Sequence, residues 1–138
     1  MKSWYTVWIG VILIIISIVI IKTQIEEYTL QHDPMLDLLR RVVQPIHPVM
    51  NKVKIYKADK SYTINKEKIF LCLKDKNSNY YPLNMLIYVF LHELAHLLNT
   101  KDVGHTETFH QIFDELREKA FKLGIYNPSI QVIPNYSE

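Results

Sequence analysis

Apolar positions along the chain form one uninterrupted block followed by short periodic clusters. The block is Trp4 to Ile21, 18 residues without a charged side chain. As a helix it spans about 27 Å, enough to cross the hydrocarbon core of a bilayer with little tilt. Trp4, Tyr5 and Trp8 stand at one end, where amphipathic rings favour the headgroup region, and Lys2 and Lys22 can reach water at the two ends. No small-x-small cleavage site follows Ile21, so the pattern favours an uncleaved anchor over a signal peptide. Thr23 to Asp33 is polar and reads as a short stalk.

Beyond it, Asp33-Pro34 reads as N-cap and first position of a helix. Met35, Leu38, Leu39, Val42 and Val43 keep helical spacing until Pro45 and Pro48. Val53-Lys54-Ile55-Tyr56 alternates like a strand, Tyr62-Thr63-Ile64 reads as another, and Ile69 to Leu73 is a near-continuous apolar run, the mark of a more buried strand. Asp75 to Asn79 is a turn. Pro82 opens a helix that is apolar on all sides through Leu98 and so belongs in the core, ending near Asn99, a candidate left-handed terminator. Another helix starts at or beside Thr106, with Phe109, Ile112, Phe113, Leu116, Ala120 and Leu123 on one stripe and Gly124 at its end. The tail from Ile125 reads as extended across the domain.

Composition narrows the picture. A chain of 138 residues suits one small domain, and its single Cys excludes an intramolecular disulfide framework or a multi-Cys zinc site. The net charge of +2 comes from Lys2 and Lys22; from Thr23 onward 14 basic residues balance 14 acidic ones. No nucleic-acid partner is expected from that balance. The eight Lys between 52 and 76 read as the solvated face and edge of a small sheet. Basic residues flank the apolar block on both sides, so charge does not set the side of the membrane. One glycosylation sequon, Asn135-Tyr136-Ser137, lies near the C-terminus.

The chemistry lies in the buried helix, as His92-Glu93-Leu94-Ala95-His96. Two His four residues apart share one helical face, so both imidazoles can reach one ion, and neutral imidazole suits Zn²⁺. Glu93 is rotated toward the cleft, where a carboxylate can act as general base on a zinc-activated water. Two His and a Glu in an otherwise apolar helix would strand polar groups in a core, and a metal satisfies them.

A catalytic zinc needs a third protein ligand. Asp102 has the spacing of the metzincins, but no Met follows it to make their Met-turn; Glu115 is near the gluzincin spacing; His105 and His110 are the other candidates. On a helical wheel with Phe109 at zero, and if the helical register extends back that far, His105 falls about 40° away, in line with the apolar stripe, whereas His110 and Glu115 fall about 100° and 120° off. The stripe must pack on something, and the HExxH helix is the available partner. His105 is therefore favoured, with Glu115 and then Asp102 as alternatives, and Gly104 lets the chain turn sharply before it.

The HExxH motif followed by Gly104-His105-Thr106-Glu107-Thr108-Phe109 resembles the compact zincin-like peptidases of the WLM and SprT type. A closer similarity is to small WLM-like metallopeptidases of large DNA viruses, carried by Leu71-Cys72-Leu73, Tyr80-Tyr81 and Gly124-Ile125-Tyr126 as well. The resemblance spans roughly residues 50 to 136 and implies that the later His, here His105, is the third zinc ligand, with Phe109 packed in the core. The anchor departs from that family, and no DNA-binding or ubiquitin-related module is recognisable.

The expectation is an α+β zincin-like domain over residues 34–138, behind an anchor at 1–22 and a stalk at 23–33. Its function would be zinc-dependent peptide-bond hydrolysis on a peptide or protein substrate, with one Zn²⁺ held by His92, His96 and His105, and Glu93 as base. The alternative is an inactive, zinc-stabilised membrane scaffold. Localisation would be single-pass, with residues 4–21 in the bilayer. Tyr126 is a candidate oxyanion donor, though an anchoring role in the tail is preferred; Cys72 reads as core.

Overall fold

In the computed structural model, residues 2–132 are described; the sequon at 135–137 lies outside them. The architecture is α+β, with four helices and a small mixed sheet among the described residues.

Helix α1 (Lys2–Gln31) begins in the apolar block and continues without a break through the segment expected as a stalk. It is long and apolar enough to cross a membrane, and none of its most apolar 18-residue window is buried in the domain. A core helix would be covered on all sides; this one is not. Its last turns are tied to the domain: the Tyr56 hydroxyl donates to Glu27 at 3.3 Å, and Arg40 donates to the carbonyls of Gln31 and Ile55 at 2.5 and 2.8 Å. His32 stacks on Tyr28.

Helix α2 (Pro34–Val43) starts where the Asp-Pro pair places it, with the Asp33 carboxylate accepting from the Met35 amide at 2.9 Å. Leu36, Leu39 and Val43 are fully buried, so the packed face is centred on Leu36 rather than on Leu38. Two short 3-10 turns follow (Gln44–Ile46 and Pro48–Asn51), the second capped by the His47 ring.

The sheet has order β1-β3-β2, from β1 (Lys54–Lys57), β2 (Tyr62–Ile64) and β3 (Lys68–Leu71). The apolar run forms the central strand, parallel to β1 and antiparallel to β2. Ile55, Ile69 and Leu71 point into the core, while Tyr56, Phe70 and Tyr62 stack across the three strands on the other face. Cys72 falls just beyond β3 and is half-buried.

Helix α3 (Leu83–Leu98) is central, with ten buried residues, and α4 (Glu107–Lys122) packs against it through Phe109, Phe113, Leu116 and Ala120. Three details depart from the sequence reading. Pro82 is the N-cap of α3 rather than its first residue. Asn99 ends α3 in an extended conformation (φ −75°, ψ 95°), because its side chain organises the next loop. Leu123 is 45% exposed, since α4 ends at Lys122 and the chain turns away at Gly124 (φ +74°). The tail does not run straight: Asn84 holds Asn127 through two hydrogen bonds of 3.0 and 2.8 Å, and a turn follows.

Asp33 joins several elements, because besides capping α2 it accepts from the Tyr80 hydroxyl at 3.1 Å and lies 3.9 Å from Lys57. Asp33→Ala is expected to destabilise the domain by about 1–2 kcal/mol, the cost of losing a helix cap, while Asp33→Asn retains most of the stability. Thermal unfolding of the full chain in micelles, followed by near-ultraviolet circular dichroism of the tyrosines, measures both.

Candidate metal centre

The site is built on α3. His92 and His96 sit one turn apart on the face that meets α4, and Glu93 is rotated toward the sheet. The third imidazole comes from the loop before α4. Gly104, at φ +90°, takes a left-handed conformation that other residues rarely adopt, and it delivers His105 to the same spot.

The His105 Nε2 lies 3.1 Å from the Nε2 of both His96 and His92, and one ring nitrogen from each residue falls within 4.8 Å of the others. These distances test the fit of a metal. Three nitrogens bound tetrahedrally at about 2.0–2.1 Å would be separated by about 3.3 Å. A neutral imidazole carries one N–H, so three rings converging on one point through the same ring atom cannot all be satisfied by protons between them. The donor set suits zinc on both counts.

Phe109 forms the floor beneath the rings. It is 1% exposed, stacks on His96 at 4.3 Å, and meets His92 and His105 edge-on at 5.0 Å each. The cluster therefore rests on the α3–α4 packing. Burial holds the His92 pKa down to about 4, with neighbouring His96, His105 and His110 adding to the effect. His96 is lowered too, by burial and then by His105 and Lys66. Both shifts favour the neutral imidazole, the form that binds metal.

Glu93 is buried, and its carboxylate accepts from the Thr63 hydroxyl on β2 at 2.8 Å. Burial raises its pKa and the Thr63 bond opposes that. Thr63 also contacts the Glu93 carbonyl at 3.1 Å, so one strand residue orients the acid from the far side of the cleft.

The other candidates are placed elsewhere or otherwise engaged. Asp102 accepts from Asn99 and from Thr106, each at 2.6 Å, and those bonds hold its pKa below the usual carboxylate range. Thr106 in turn caps α4. Asp102 thus braces the loop that carries His105. Glu115 is exposed and pairs with Gln111, and His110 is exposed beside Phe109. Tyr126 is buried with its ring against Tyr88, an anchoring position in the core.

Two supporting residues escape sequence reasoning. Thr63 lies 30 residues from Glu93 and carries no local signal. Lys66 occupies the turn between β2 and β3, where Asn65 and Lys66 both have positive φ (54° and 56°), and its ammonium donates to the carbonyls of His96 and Asn99. That contact ties the hairpin to the C-terminal end of α3, where unpaired carbonyls and the helix dipole favour a cation. A turn with positive φ at both central residues usually carries Asn and Gly; here Lys stands in the second place, held by its far end.

The WLM domain family model matches residues 63–130. Uncharacterized protein 136R of Invertebrate iridescent virus 6 is 47% identical over 91 residues, covering 64% of this chain and 51% of that protein. Protein 042R of Invertebrate iridescent virus 3 is 40% identical over 101 residues, covering 69% of this chain and 63% of its own length. The chain thus spans about half to two-thirds of these relatives. The crystal structure of Wss1 from Saccharomyces cerevisiae superposes with a TM-score of 0.54 at 21% identity, over 64% of this chain and 78% of that one.

If the three imidazoles share one ion, His105→Ala should weaken zinc binding by more than about 100-fold, beyond the loss typical of an outer partner. Glu115→Gln should leave affinity unchanged. Competition against a chromophoric chelator gives both constants; an effect of the Glu115 change as large as that of the His105 change would reassign the third ligand. The family-model match, the viral relatives and the shared fold together show the resemblance to WLM-type proteins expected from the HExxH and Gly-His motifs.

Proposed function

We propose that this chain is a membrane-anchored zinc metallopeptidase. The observation that carries the reading is the convergence of His92, His96 and His105 through their Nε2 atoms, with the Glu93 carboxylate on the adjoining helical position. Zinc, when bound, supplies a Lewis acid that polarises the scissile carbonyl.

The chain's own residues supply the rest. Burial favours the neutral form of His92 and His96, the form in which imidazole binds metal. Glu93 accepts a proton from the attacking water and later delivers it to the leaving amine nitrogen. Its raised pKa suits that exchange, because a desolvated carboxylate holds a proton more readily than a solvated one. Thr63 keeps the carboxylate aimed during both transfers, and Phe109 excludes water from beneath the rings.

Residues 4–21 span the bilayer in this reading. The support is a helix that runs past the apolar block into contacts with Tyr56 and Arg40 of the domain, which suits a retained anchor better than a removable leader. The continuous helix holds the cleft at a fixed height above the membrane.

The test is Glu93→Gln in the full chain reconstituted in lipid. Cleavage of an unfolded protein substrate should fall by at least about 100-fold, the contribution expected of a general base, while zinc stoichiometry stays near one per chain. Retained cleavage would overturn the mechanism. Zinc binding by the unaltered chain without cleavage of any unfolded substrate would favour the scaffold alternative.

A further inference from the structure

The outer face of the sheet, turned away from α3, is built in two rows. The strand register sets Lys54, Lys68 and Ile64 side by side, and Tyr56, Phe70 and Tyr62 in the next row. The three rings stack at 5.0 and 4.6 Å, and the Lys68 ammonium lies 5.8 Å from the centre of the Tyr56 ring. On the edge strand Tyr62 is 41% exposed and Ile64 38%. Thr63 between them points the other way, to Glu93. One short strand therefore serves the metal site on one side and presents Tyr and Ile on the other.

Charge is segregated in the same place. Residues 52–76 hold eight Lys and three acidic residues, whereas the rest of the chain from Thr23 holds six basic residues and eleven acidic ones. The sheet region is thus basic within a domain that is neutral overall. Rings beside lysines suit the headgroup layer of a bilayer, since amphipathic rings favour the interface and each Lys is drawn to anionic lipid.

Helix α1 sets where this face stands. It is unbroken from Lys2 to Gln31, and its Glu27 accepts the hydrogen bond from the Tyr56 hydroxyl, in the ring row itself. Glu27 is six residues beyond Ile21, about 9 Å along the helix. The headgroup layer takes up about 5–7 Å outside the hydrocarbon core. An extended Lys side chain covers the remaining distance. Stacked rings among lysines also suit the bases of a single-stranded nucleic acid, but the bond to α1 places this face beside the anchor.

We propose that the outer sheet face, through Lys54, Lys68, Tyr62 and Ile64, docks on an anionic bilayer surface next to the anchor. The metal site then stays on the side of the sheet turned away from the lipid. This inference rests on the membrane anchor of the reading above, and the experiment separates the two.

The experiment places a nitroxide on Ile64→Cys in a full chain that also carries Cys72→Ala, and reads its collision rate with a water-soluble nickel chelate by electron paramagnetic resonance. The chain is held in nanodiscs of phosphatidylcholine, alone or with about one-third phosphatidylserine, and the collision rate is expected to fall at least about threefold in the anionic discs. Salt at about 1 M, where screening acts within about 3 Å, should restore it. Lys54→Gln with Lys68→Gln should abolish the fall, with zinc stoichiometry as the check on folding; the salt arm needs no such change. A collision rate indifferent to lipid charge, or a fall that survives both salt and the Lys changes, would overturn the docking and leave the anchor standing. Shielding of the label by a single-stranded oligonucleotide and not by anionic lipid would give the face to nucleic acid and overturn the proposal. Alkaline carbonate stripping the chain from vesicles of the same lipids would overturn the anchor, and the docking with it.

Discussion

Everything in the site depends on the docking of α4 against α3. Two His four residues apart on one helix can present only two nitrogens to an ion; a third must come from another element. Phe109 settles where that element lies. Its ring is buried between the helices and touches all three imidazoles, so the apolar contact that joins α3 to α4 also brings His105 within 3.1 Å of His92 and His96. The hydrophobic effect and the site geometry are here one interaction.

That arrangement imposes a cost which the surrounding residues offset. A helix with ten buried positions carries a carboxylate and two imidazoles, groups that lose hydration when covered. Thr63 gives the carboxylate a donor, and Lys66 occupies the carbonyls where α3 ends. Asn99, Asp102 and Thr106 form a chain of hydrogen bonds that carries the loop from the end of one helix to the cap of the next. The loop is short and closely bonded, which positions His105 even though its own side chain is exposed.

The sequence was legible where the physics is local. Helical periodicity located α3 and the stripe of α4; the wheel pointed to His105 on the premise that the helix reached back to it, whereas α4 begins at Glu107 and His105 is delivered by the preceding loop. The Asp33-Pro34 pair marked the start of α2 because a cap and a fixed φ act within three residues. It was silent where contacts join distant segments: nothing near Thr63 points to Glu93, and nothing near Lys66 points to Asn99. Asn99 was misread for the same reason, since its conformation answers to Asp102 and not to a generic helix ending. Leu123 fits the stripe by angle, but the helix stops one residue short of it. The polar run after Lys22 gave no sign that the helix would persist, because the contacts that hold it come from Tyr56 and Arg40.

The most direct measurement of the central claim is X-ray absorption at the zinc edge of the metal-loaded full chain. Three imidazoles and one further light-atom ligand at about 2.0–2.1 Å, with the multiple-scattering pattern of three rings, are predicted. A first shell with two imidazoles, unchanged when His105 is replaced by Ala, would contradict it.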